Sequence, residues 1–188
     1  MSAAHPGDDA VGAVGSDESA AGTAQPAAGA GSGRAAGIDP RGPRFGAAIT
    51  AALLLVDIAL GLSGAITAAT VLLAALTAIF AWGAFAGIRR HPWGSVYRRL
   101  VAPRLAPPAY REDPAAPTFA QFVGLVVTGT GLLLHLLGVP GALVVAAGMA
   151  FVAAFLNAAF DYCLGCRLHV LLVRAGVIRR RGARPTGA

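Results

Sequence analysis

The sequence contains no lysine, so its fifteen basic residues are all arginines. Charge of either sign is scarce, at 13% of residues, where a soluble domain carries roughly 25%. So little polar surface excludes an ordinary soluble particle of this size. The chain has only two cysteines, which limits thiol chemistry to one pair. Its first residues hold no early arginine and no apolar run, so no secretory signal peptide is expected there.

What is abundant is apolar: 56% of residues are hydrophobic and mean hydropathy is +0.65. The arginines fall in three clusters, Arg34 to Arg44, Arg89 to Arg111 and Arg167 to Arg184. Four long apolar segments lie between them, at about Phe45 to Leu62, Ile66 to Ile88, Phe119 to Leu137 and Gly141 to Phe160. Each approaches the roughly 20 residues a helix needs to cross the hydrocarbon layer. Lipid cannot satisfy backbone polar groups, and these runs do not alternate as barrel strands do, so helices are expected. The pI near 10.6 does not point to nucleic acid, because the arginines flank apolar runs and do not form a basic face. Anionic lipid headgroups are the fitting counter-charge.

The connections are unequal. Ser63-Gly64-Ala65 and Gly138-Val139-Pro140 are short and uncharged, and each makes a tight helical hairpin. The link from Arg89 to Thr118 is long and basic. Positive-inside placement puts this link and both termini in the cytoplasm of a bacterial cell, with the two turns outside. The fold class expected is an all-α polytopic membrane four-helix bundle of two hairpins. Residues 1–37 read as a disordered Ala/Gly-rich tail, 38–174 as the membrane domain, and 175–188 as a basic disordered tail contacting headgroups.

Within the link, Trp93, Val96, Tyr97, Leu100 and Val101 share one helical face. That spacing predicts a short helix in the headgroup plane, anchored by Trp93 and Tyr97. Thr118 and Gln121 have capping-box spacing for the third span. Asp39 is expected to pair with a nearby arginine, and small residues within the spans to permit close helix packing.

Cys163-Leu164-Gly165-Cys166 is the one chemically suggestive motif. Two thiols at this spacing meet in a small ring, as in thioredoxin-like pairs, though no βαβ pattern surrounds them. If the fourth helix runs on, its negative end disfavours thiolate at the cysteines. If Asp161 caps a new helix, Cys163 falls in a first turn and thiolate is favoured. Arg167 is a thiolate stabiliser in either geometry. A metal alternative uses Cys163, Cys166 and His169, with His91 as a fourth ligand; structural zinc wants four. Simple packing is a third reading. No cofactor is expected.

Three polar residues lie within the spans. Asp57 is costly in lipid and should find a partner. His135 lies at similar depth, so a pair is geometrically available; a protonated Asp57 bonded within the bundle is the plainer reading. Asn157 is expected to hydrogen-bond a neighbouring helix.

Asp39-Pro-Arg-Gly-Pro-Arg-Phe45, Arg104 to Pro108, Pro117-Thr-Phe-Ala-Gln-Phe122 and the Asn157-Ala-Ala-Phe160 block leading into Cys163-Leu-Gly-Cys166 resemble a bacterial integral membrane family, domain of unknown function 4395. The resemblance covers about Ile38 to Arg174. The resemblance carries over no activity; its association with thioredoxin-like and rhodanese-like neighbours favours, by analogy, a partner of that kind and sulfur or redox chemistry. Asp161-Tyr162 and Arg167 depart from its pattern. Four-helix membrane thiol oxidoreductases resemble the chain weakly; they use a second cysteine pair on the outer face, so quinone-linked disulfide formation is not expected here. The leading expectation is a cytosol-facing dithiol exchanging electrons or sulfur with a soluble partner, Cys163 attacking and Cys166 resolving. A non-enzymatic membrane scaffold is the alternative, and a small transporter a third.

Overall fold

A computed structural model describes residues 37–178. The expected N-terminal tail up to residue 36 and the arginines from Arg179 onward lie outside the described residues. The described chain is all helical apart from a single antiparallel bridge between Ile38 and Glu112.

Among the described residues, four helices are long and apolar enough to cross a membrane: α1 (Arg41–Leu62), α2 (Ile66–Ala86), α4 (Ala115–Leu136) and α5 (Ala142–Phe160). They match the apolar segments to within a few residues at each end. The chain is a four-span membrane protein built from two hairpins. Between the hairpins, α3 (Pro92–Val96) runs into a π-type turn over Tyr97–Val101 and a 3-10 turn over Ala102–Arg104. A sixth helix, α6 (Leu164–Arg174), follows the fourth span. Pro92 opens α3, where its missing N–H costs nothing.

The spans pack α1 on α5, α2 on α4, and α4 on α5. The dry core is Leu54, Leu73, Leu76, Leu143 and three alanines, Ala69, Ala147 and Ala150. They lie in the half of each helix nearer the short turns, apart from Leu76 at the midpoint of α2, and Ala150 also borders the cavity. Large aliphatic side chains close that end. Toward the other end the facing positions are small, among them Gly46, Ala47, Ala153 and Ala154, and the bundle opens into a cavity of about 1480 Å³.

The π-type turn brings a correction. Tyr97 was expected to anchor in headgroups, yet it is buried at 3% exposure. Its ring packs at a tilt on Phe45, centroids 5.8 Å apart, and its hydroxyl donates to Asp39 Oδ2 at 2.9 Å. Trp93 likewise turns inward, against Gly46 of α1. Exposed aromatic residues at this end include Trp82 and Phe85 of α2, Phe122 of α4 and Phe160 of α5, and the Trp82 indole N–H donates to the Arg90 carbonyl. An apolar stripe has to be covered, and here α1 covers it before lipid can.

Thr118 does not form the expected capping box. Helix α4 starts three residues earlier, after Pro114, and the Thr118 hydroxyl donates to the Pro114 carbonyl while accepting from Ile88 N–H. That bond ties the end of the first hairpin to the start of the second.

Candidate functional site

The fourth span ends at Asp161, the one non-glycine described residue in left-handed backbone, with φ 57°. Aspartate tolerates that conformation because its short polar side chain hydrogen-bonds locally. Arg44 holds the bend from α1: its Nε lies 3.6 Å from Asp161 Oδ1, and its Nη2 donates to the Ala158 carbonyl. The helix therefore does not run on, and the chain restarts as α6.

Cys163 is the N-cap of α6. The Cys166 backbone N–H donates to Cys163 Sγ at 3.2 Å. The motif thus sits at a positive helix end, of the two geometries the one that favours thiolate, with Cys163 capping the helix and not inside its first turn. Cys163 and Cys166 are joined in a disulfide, with Cα atoms 5.2 Å apart. Both residues are half-buried and line the mouth of the cavity.

Gly165 explains how the motif is docked. It is buried against α4, where a β-carbon would lie 2.5 Å from Ala120 Cα. Only glycine allows the two backbones to approach so closely. Ala120 and Gln121, the next residue of α4, both line the cavity.

Gln121 pairs in space with His91, which also lines the cavity. Both side chains press on Gly83 of α2, where a β-carbon would come within 2.8 Å of each. His91 is 3% exposed, and burial holds it neutral, lowering its pKa to about 4 against a smaller opposing effect from Gln121. His91 Nε2, Gln121 Oε1 and Trp93 Nε1 are buried with no hydrogen-bond partner, and all three residues line the cavity.

The rim is charged but largely self-satisfied. Arg41 bonds Asp39 and the Ala106 carbonyl, Arg98 bonds Ser95, and Arg111 bonds the Gly37 carbonyl. Burial acts to raise the Asp39 pKa, yet bonds from Arg41 and Tyr97 outweigh it, so the carboxyl is held below its ordinary value. Glu112 is pushed up, chiefly by burial and then by Asp161 and Asp113.

The remaining sequence candidates divide. Arg167 lines the cavity, and its guanidinium lies over the Tyr162 ring, 5.1 Å from the centroid. His169 packs at a tilt on Phe119, ring centroids 5.3 Å apart. Among the described residues no cluster of three His, Cys, Asp or Glu side chains could hold a metal, so the Cys163, Cys166 and His169 set does not assemble. Asp57 and His135 do not pair: Asp57 is fully buried with both carboxylate oxygens unpartnered, while His135 Nε2 meets Thr70 Oγ1 at 3.1 Å. Asn157, expected to bond a neighbouring helix, lines the cavity.

The sequence does not mark His91 and Gln121 as neighbours; both lie near span ends, and only the fold brings them together against Gly83.

A four-span helical membrane protein with a CxxC disulfide at the mouth of a half-depth cavity is the class these features define. The chain belongs to the family described as Domain of unknown function (DUF4395), whose model matches residues 38–174. No curated protein and no solved structure matches it.

Proposed function

We propose that Cys163 and Cys166 are a redox-active pair that exchanges electrons or sulfur with a soluble thioredoxin-like or rhodanese-like partner. The observation that carries this reading is the N-cap position of Cys163, whose sulfur accepts the Cys166 N–H beside an open cavity mouth. A backbone donor at a helix start stabilises developing negative charge on sulfur.

The exchange balances in two steps. A partner thiolate attacks Cys163 Sγ, the Sγ–Sγ bond breaks, and its electron pair leaves on Cys166, which takes up a proton. The partner's second thiolate then attacks the mixed disulfide, freeing Cys163 and closing the partner's own disulfide. Run backward, the dithiol reduces the partner.

The protein sits, on this reading, in a bacterial cytoplasmic membrane with its disulfide end inward. Every arginine from Arg41 to Arg174 lies at that end of the bundle or in the link, and neither short turn carries one. That asymmetry is the positive-inside pattern.

Single-cysteine variants test the pair. At neutral pH Cys163, with Cys166→Ala, should be alkylated at least about tenfold faster than Cys166, with Cys163→Ala, because only Cys163 caps the helix. Equal, slow rates for the two would remove the basis for exchange. Membrane-impermeant labelling of a cysteine placed at Arg104 tests the sidedness, and labelling from outside intact cells would reverse it.

A further inference from the structure

Helix α6 restarts the chain where the fourth span ends. Phe160, the last residue of α5, is 67% exposed, and α6 begins four residues later, after the bend at Asp161. Over its first turn α6 does not climb α4. Gly165 meets Ala120, and His169 meets Phe119, the adjacent residue. A helix running alongside the span would have moved about 6 Å along it over those four residues. Helix α6 therefore crosses α4 at the arginine-rich end and does not follow it into the bundle.

The faces of α6 divide cleanly at helical spacing. Gly165, His169, Leu172 and Val173 share the side that packs on α4, and each is buried or half-buried. Leu164, Leu168 and Leu171 form a stripe turned away from α4, and all three are exposed, Leu171 at 60%. Arg167 and Arg174 border this stripe on its far edge, and both are exposed. Among the described residues neither forms a salt bridge, and α6 contains no acid. The sequence continues to Arg179, Arg180 and Arg181.

A row of leucines left in water is unfavourable. A leucine stripe edged by arginines is the pattern of a helix that lies in a bilayer interface. The arginines decide what covers it. A second copy of the chain would bring the same cations to the same stripe, whereas anionic headgroups neutralise them.

We propose that α6 is an in-plane membrane-surface helix, with Leu168 and Leu171 set among the upper acyl carbons of the leaflet at the arginine-rich end and Arg167 and Arg174 on anionic phospholipid headgroups. The bilayer around the protein is the occupant of this face. Gly165 pins one side of α6 to α4, and lipid holds the other. The cysteine pair at the start of α6 is thereby kept at headgroup level. The inference stands whether or not the pair exchanges electrons.

The test uses the full chain in nanodiscs of mixed phosphatidylcholine and phosphatidylglycerol. Serine, which also caps helices, replaces both cysteines, and Leu171→Cys supplies one site for an NBD fluorophore. A nitroxide high on the acyl chain should quench the fluorophore strongly, and aqueous iodide should quench it weakly. Quenching should be at least about twofold greater with the nitroxide on phosphatidylglycerol than on phosphatidylcholine at equal mole fraction. Arg167→Gln together with Arg174→Gln should make the two lipids equal. Strong iodide quenching would place the stripe in water, and protection from both quenchers would place a protein surface over it; either overturns the proposal. Equal quenching by the two lipids with both arginines present also overturns it. The unmodified chain gives a second readout if the serine protein fails to fold. Phosphatidylglycerol with a diazirine high on its acyl chain should, on illumination, insert into the tryptic peptide from Leu168 to Arg174. A peptide without adduct, beside labelled spans, overturns the proposal.

Discussion

Gly165 of the CxxC motif lies against Ala120 of α4 with no room for a β-carbon, which would meet Ala120 Cα at 2.5 Å. The CxxC motif is thereby fastened to a membrane-spanning helix and not left on a loop. Helix α6 makes most of its contacts with α4 through this junction.

Gly165→Val should push α6 away from α4. Overpacking of this kind costs roughly 1–3 kcal/mol, and here the motif should take it up, since α6 touches little else. The expected result is faster proteolysis near Arg167 and a loss of the alkylation difference between the two cysteines, with the four spans intact by circular dichroism. A variant as protease-resistant as the parent would show that the close approach does not hold the motif.

Tyr97 and Asp39 form a second clamp, across α1 and the link. Tyr97→Phe removes a 2.9 Å bond to a carboxylate, worth roughly 1.5–3 kcal/mol. The Asp39 pKa is depressed in the folded protein, so its contribution is complete above the unfolded value and is lost as pH falls through the folded one. The difference between parent and Tyr97→Phe should therefore shrink in acid. Denaturation curves at neutral pH and near pH 3 measure it, and a constant gap would contradict the bond.

His91 sets another pH dependence. Its folded pKa is about 4 against 6.5 when free, because burial disfavours the charged form. The unfolded chain binds the extra proton between those values, so stability is full above about 6.5 and falls as pH drops toward about 4. The loss is at most on the order of 3 kcal/mol. His91→Gln, which does not titrate, should flatten the melting temperature across this window. A parent protein with no slope there would mean His91 is solvated or paired.

Asp57 is fully buried with neither carboxylate oxygen bonded. An unpaired polar group in such a place costs about 1–3 kcal/mol. Asp57→Leu should therefore raise thermal stability in detergent. A destabilised variant would reveal a partner for the carboxylate, such as a bound proton donor or cation.

Much of the molecule could be read along the chain. Four apolar runs of span length, two uncharged turns and three arginine clusters dictated the spans and the hairpin pairing, because lipid leaves a backbone few ways to satisfy its polar groups. The cysteine pair was visible as spacing. Its setting was not, since a left-handed Asp161 and a buried Gly165 depend on Arg44 and Ala120, which are distant in sequence. Trp93 and Tyr97 were misread because periodicity reports that a face is apolar, not whether lipid or protein covers it.

The sequence by itself determined that this chain crosses a membrane four times and carries one dithiol near its arginine-rich end; hydropathy and charge act locally, residue by residue, against a uniform solvent. Only the tertiary structure decided that Cys163 caps a new helix, that His91 and Gln121 meet at Gly83, and that Asp57 and His135 stay apart. Those facts depend on helix rotation and crossing. They are set by which small residues let two backbones touch, and no single segment encodes that.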